Sequence, residues 1–163
     1  MAFKLILVRH AKSSWKNLDQ SDHDRPLNKR GRASAIALGD WLRKEKMVPD
    51  QVLCSTAART RETYELMGFD VAPVLKEGLY HASADVILRH IQGASGQKLL
   101  LLGHNPGIGE CAERLARKLP AHARFLDYPT GATTVFKFDA DTWDAVRFGS
   151  GKVKKFTVPR DLL

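Results

Sequence analysis

Leu99-Leu100-Leu101-Leu102 is a continuous apolar run between polar ends, and no other stretch limits the fold as strongly. The run is too short for a helix, and it has no polar alternation to offer water. It reads as a strand covered on both faces, as in a parallel sheet sandwiched by helices. Phe3-Lys4-Leu5-Ile6-Leu7-Val8 follows the same pattern and reads as a second central strand.

The remaining segments alternate between strand and helix signals. Residues 51–54 read as a short strand. Residues 71–75 read as another, placed at an edge because Pro73 interrupts it. Helices are expected over residues 29–46, with Asn28 as N-cap, and over 57–67, capped by Ser55 and closed by Gly68. Two more are expected over Ala84–Gln92, capped by Ser83, and over 107–119, with Pro106 at the first position. Ala35, Leu38, Trp41 and Leu42 give the first helix its apolar face, and Gly39 is expected to let it approach the sheet. Thr133–Phe138 alternates as a strand. Residues 143–148 are expected to pair back on it as a hairpin, leaving 149–163 as a basic, solvated or partly ordered tail. The expected fold is α/β in three layers: a mostly parallel central sheet with helices on both faces, in one domain spanning residues 1–163. The short connections leave no room for a large capping insert.

In such sheets the chemistry sits outside the carboxyl ends of the strands. Three of those ends carry reactive or basic residues: Arg9 with His10, Ser55 leading into Arg59, and His104. Coincidence explains one of them easily and all three poorly. The formal charge of +8 suits phosphates, nucleic acid, anionic membranes or acidic proteins alike. A nucleic-acid module is the weaker alternative, because no basic run is interleaved with aromatic residues for stacking. Asp19, Asp22 and Asp24 flank His23, but Lys12, Lys16 and Arg25 dilute them, so the loop reads as solvated and not as a metal site. Neither a metal nor a cofactor is expected. Cys54 and Cys111 read as reduced thiols. The first apolar run is too short for a signal peptide's core, and no stretch could span a bilayer. A cytoplasmic protein without membrane attachment is expected.

Arg9-His10-Ala11-Lys12-Ser13 resembles the Arg-His-Gly signature of the histidine phosphatase superfamily, with Ala11 in place of the usual glycine. Arg59, within Ser55-x-x-x-Arg59-x-x-x-Thr63, is similar to that family's second arginine, and Gly103-His104 to its second histidine. Arg25-Pro26-Leu27 matches a motif of its SixA-type phosphohistidine phosphatases. The resemblance implies a phosphoglycerate-mutase-like fold and His10 as a nucleophile that becomes phosphorylated. It implies Arg9, Arg59, His104 and Arg25 as the groups that hold the phosphoryl oxygens. Ser13 and Asn17, in the same loop, are further candidates for binding substrate. Glu77 sits in a segment similar to the acid-bearing one of phosphoglycerate mutases and is the candidate leaving-group acid; Asp22 is the runner-up. The implied substrate is protein phosphohistidine. The alternatives are a small phosphate ester or a mutase-like reaction, and the expected state is a monomer with no specific nucleic-acid partner.

Overall fold

The computed structural model describes residues 2–163. Strand and helix alternate as β1 (Phe3–Arg9), α1 (Lys29–Lys44), β2 (Gln51–Ser55), α2 (Ala58–Met67), β3 (Val74–Lys76), α3 (Ala84–Gln92), β4 (Lys98–Gly103) and α4 (Gly107–Leu115). Two strands follow, β5 (Thr133–Phe138) and β6 (Lys152–Thr157). Among the described residues these form one six-stranded sheet in the order β3-β2-β4-β1-β5-β6. The first four strands in that order are parallel, β5 is antiparallel to β1, and β6 is antiparallel to β5.

The two-residue period of a strand builds both cores at once. Leu5, Leu7, Leu99 and Leu101 face α3 and α4, where Ile87, Ile91, Ile108 and Leu115 meet them. Ile6, Val8, Leu100 and Leu102 face α1 and α2, where Leu38, Leu42, Tyr64 and Met67 close the other side. All of these side chains except Tyr64 are at most 1% exposed, so each contributes about 1.5–3 kcal/mol by leaving water. The sheet is therefore covered on both faces, as the unbroken leucine run requires. Both cysteines are buried free thiols, which burial pushes up to about 12.

Several local expectations are corrected. Residues 143–148 do not form the return strand. Trp143 turns inward instead, stacks on Phe3 at 4.8 Å between ring centroids and caps the core. The basic end supplies the return strand as β6, so residues 152–157 are not a solvated tail. Its apolar alternation is disguised by a register shift opposite Val135 and Phe136, which leaves Lys154 without a partner position. Lysines along it suit an edge strand, where they deter further pairing. Helix α4 stops at Leu115, because Ala116 leaves the helix to bridge Gly151. Ser55 does not cap α2; its hydroxyl turns to His104.

Gly39 packs α1 against α2 and not against the sheet: a Cβ there would lie 2.2 Å from the Met67 carbonyl oxygen. Gly31 does the same for the loop after β1, with a Cβ reaching 2.0 Å from the Lys12 carbonyl oxygen. Both sites resist even a methyl group. Gly31→Ala and Gly39→Ala should each cost about 1–3 kcal/mol, read as a lower thermal midpoint. Only Gly31→Ala should also lower kcat/KM, since it alone pushes on the loop that follows His10.

Candidate active site

The register of β1 and β4 pairs Arg9 with Gly103, so the residues that follow, His10 and His104, emerge side by side. The His10 backbone N–H donates to the Gly103 carbonyl at 3.2 Å, and the two imidazole centroids are 5.2 Å apart. Ser55, at the end of β2, bonds His104 Nε2 through its hydroxyl at 2.8 Å. The convergence of three strand ends follows from the parallel order of the sheet.

His10 Nδ1 lies 2.7 Å from the Ala11 carbonyl oxygen. A carbonyl only accepts, so Nδ1 carries the proton and the lone pair is left on Nε2. Burial, opposed by that hydrogen bond and reinforced by Arg59, Arg9 and Arg25, lowers the His10 pKa to about 3. Burial first, then His10, Arg59 and His81, lowers His104 to about 2. Both rings are therefore neutral in the unliganded site at neutral pH, and the Nε2 of His10 carries an unshared electron pair.

The loop between β1 and α1 is held from two directions. Thr63 accepts the Ala11 N–H at 3.0 Å and donates to the Arg59 carbonyl at 2.7 Å, so one face of α2 fixes both Arg59 and the residue after His10. Glu62 accepts the Leu27 N–H at 2.8 Å, which ties the Arg25-Pro26-Leu27 segment to the same helix. Arg25 donates to Ser13 Oγ and to the Ser14 carbonyl, and its guanidinium lies 3.3 Å over the Trp15 ring. Arg9 donates to the Tyr128 carbonyl at 3.1 Å, and the Asn105 side chain secures that same carbonyl at 2.9 Å.

Asp22 sits at the centre of this cationic set. Its carboxylate takes Arg25 at 2.7 Å, Arg59 at 3.0 Å and the Tyr80 hydroxyl at 2.5 Å, with His81 Nε2 at 3.5 Å. Partial burial works to raise its pKa. Hydrogen bonds from Tyr80, Arg25 and Arg59 outweigh that and hold the carboxyl well below the usual range. The resulting pocket, about 560 Å³, is lined by Arg9, His10, Arg25, Arg59, His104 and Asp22 among others. Among the described residues the buried side-chain polar atoms without a partner are Arg9 Nε and His104 Nδ1, and both residues line this pocket. Such orphans are uncommon in native proteins outside sites that await a ligand or do chemistry.

Of the residues singled out from sequence, Arg9, His10, Ser13, Arg25, Arg59 and His104 line one pocket. Glu77 and Asn17 are not among its lining. Glu77 is exposed at the start of a short 3₁₀ turn, and Asn17 is exposed with its side chain capping Asp19 N–H. Sequence reasoning missed Tyr80 and His81. A Tyr-His pair in a polar loop carries no periodic signal, and only folding brings it opposite Asp22.

The neutral histidines have a consequence for stability. An imidazole with a pKa of about 3 in the folded protein and 6.5 otherwise stays neutral while the unfolded chain takes up a proton. Between those values the unfolded state binds more protons, so stability falls as pH falls below about 6.5. The thermal midpoint of the unliganded protein should drop from pH 7 to pH 5. His104→Gln should flatten that slope.

A sheet edge that gathers two imidazoles and several guanidinium groups around one pocket defines a phosphatase. Residues 5–82 match the model of the histidine phosphatase superfamily, branch 1. The chain is 35% identical over 160 residues to an uncharacterized protein of Mycobacterium tuberculosis (strain ATCC 25618 / H37Rv), spanning 94% of this chain and all of that one. Two solved structures are similar throughout. The candidate phosphohistidine phosphatase SixA of Nakamurella multipartitia has 28% identity and a TM-score of 0.87, covering 98% of this chain and 97% of that one. The candidate SixA of Agrobacterium tumefaciens has 26% identity and a TM-score of 0.79, covering 96% and 98%. The chain belongs to the histidine phosphatase superfamily and is of its SixA type.

Proposed function

We propose that the protein hydrolyses phosphohistidine on other proteins through a phosphorylated His10. The Nε2 lone pair of His10 attacks phosphorus in line, and the P–N bond of the substrate breaks. The substrate's ring, protonated by solvent on its other nitrogen, departs as neutral imidazole carrying that electron pair. Phosphorylated His10 becomes cationic, and its Nδ1–H bond to the Ala11 carbonyl strengthens as it does so. Water then attacks the same phosphorus and releases inorganic phosphate, returning the His10 electron pair. Arg9, Arg25 and Arg59 neutralise the phosphoryl oxygens throughout, with His104 as a further donor.

One observation carries the choice of substrate. Each carboxylate lining the pocket is already ion-paired: Asp22 with Arg25 and Arg59, and Asp127 with Arg124 at 2.9 Å. A resting site whose carboxylates are already committed to arginines offers poor help to an alkoxide leaving group. Imidazole, with a reference pKa of about 6.5, leaves without such help. This reading drops Glu77 as the acid, and Asp22 serves to organise the arginines. The names of the similar SixA structures support the same substrate class. The single continuous sheet supports reading residues 1–163 as one phosphatase domain, and two free buried thiols fit the cytoplasm.

The test is a panel of a phosphohistidine protein, an aryl phosphate and sugar phosphates. The expected order of kcat/KM is phosphohistidine first, by about tenfold or more. Preference for a sugar phosphate would replace this reading with a small-molecule phosphatase.

A further inference from the structure

A second hollow of about 190 Å³ adjoins the catalytic pocket, and Lys12, Arg124, Pro129 and Thr130 line both. Its far side is formed by Arg30 and Ser34 of α1 and by Arg160 beyond β6. Cations from four separate stretches of chain thus surround a groove that no carboxylate lines. Among the described residues, the side chains of Lys12, Arg30 and Arg160 have no hydrogen-bond or ion-pair partner, while Arg124 is matched by Asp127.

The placement of Arg30 is itself unfavourable. The first turn of α1 holds no acidic residue, and a helix N-terminus already presents positive potential. Cations gathered there repel one another until an anion comes between them. The groove also differs from the catalytic pocket in how its charges are held. Arg25 and Arg59 are 7% and 4% exposed and locked by hydrogen bonds, whereas Lys12, Arg30, Arg124 and Arg160 are all exposed. Buried, locked guanidinium groups suit one tightly held phosphoryl group. Exposed ones suit several carboxylates of a larger partner. Trp15, 69% exposed at the rim of the catalytic pocket, adds an apolar contact of the kind a protein surface can use.

We propose that this groove receives acidic side chains flanking the phosphohistidine of a protein substrate, so that the enzyme selects phosphohistidine set among Asp and Glu. The inference rests on the phosphohistidine reading above and adds to it the chemistry of the surrounding sequence.

The test uses two phosphohistidine peptides of equal length, one with Glu and one with Gln around the modified residue, together with phosphoramidate, which is too small to reach the groove. The expected result is a kcat/KM about tenfold higher for the Glu peptide, carried by KM and fading as salt rises from about 50 mM to about 500 mM. The double variant Arg30→Glu, Arg160→Glu should lose this preference and hydrolyse phosphoramidate as the wild type does. Glu in the first turn of α1 suits the helix dipole, so folding is not at risk there. Equal rates on both peptides in the wild type, or an unchanged preference in the variant, would overturn the proposal.

A separate arm distinguishes failure of the groove from failure of the phosphohistidine reading. If neither peptide is turned over while an aryl phosphate is, that reading fails. The groove is then probed by inhibition of aryl phosphate hydrolysis with unphosphorylated oligo-Glu and oligo-Gln peptides. Stronger inhibition by oligo-Glu, lost in the double variant, supports the groove; equal inhibition overturns it.

Discussion

His10→Ala is expected to reduce turnover by about 10⁴-fold or more, on the scale seen when a covalent nucleophile is removed. On the proposed mechanism, the resting imidazole already has the form that attack requires. Its Nδ1 proton is committed to the Ala11 carbonyl, and burial beside Arg59, Arg9 and Arg25 keeps the ring neutral. Alanine in its place leaves the guanidinium groups intact, so phosphate should still bind while no phosphoenzyme forms. Radiolabelled phosphate from substrate should be trapped on the wild type in an acid-labile, base-stable linkage and be absent from the variant. Full activity in His10→Ala would remove the covalent mechanism.

Arg59→Ala should lower kcat by about 10²–10³-fold, the usual cost of deleting a preorganised donor at a charged transition state. Arg59 is 4% exposed, and α2 aims it into the pocket with Thr63 bonded to its carbonyl. It also holds Asp22 through two hydrogen bonds, one to the backbone carbonyl at 2.7 Å and one to the carboxylate at 3.0 Å. Arg59→Lys should recover little, because an ammonium group lacks the planar fork that makes both contacts. A defect seen in KM with kcat preserved would mean that Arg59 binds the ground state without favouring the transition state.

The two variants probe different parts of one site, and those parts were not equally visible in the chain. His10 and His104 could be found because each ends an apolar run, and Arg59 because it follows a strand and shares a helical face with Thr63. Asp22 was harder to weigh. Among Asp19, Asp24 and several lysines it looks like an ordinary solvated acid, and nothing local says that two arginines and a tyrosine will enclose it. Glu77 is the reverse case. Its neighbours resemble an acid-bearing segment, but the 3₁₀ turn leaves it exposed and offers Tyr80 and His81 to the site instead.

Local pattern by itself determined the strands of the parallel core, the helices between them and the strand ends where His10 and His104 stand. These follow from side-chain period and capping, which act over a few residues. Tertiary structure decided what depends on residues distant in the chain. It made residues 152–157, and not 143–148, the edge strand, with Trp143 packed inward on Phe3 and the core. It turned Ser55 from a helix cap into a partner of His104, and it gathered Lys12, Arg30, Arg124 and Arg160 around one groove. Such choices depend on which surfaces meet when the sheet and its helices close, and no window of neighbouring residues contains that information.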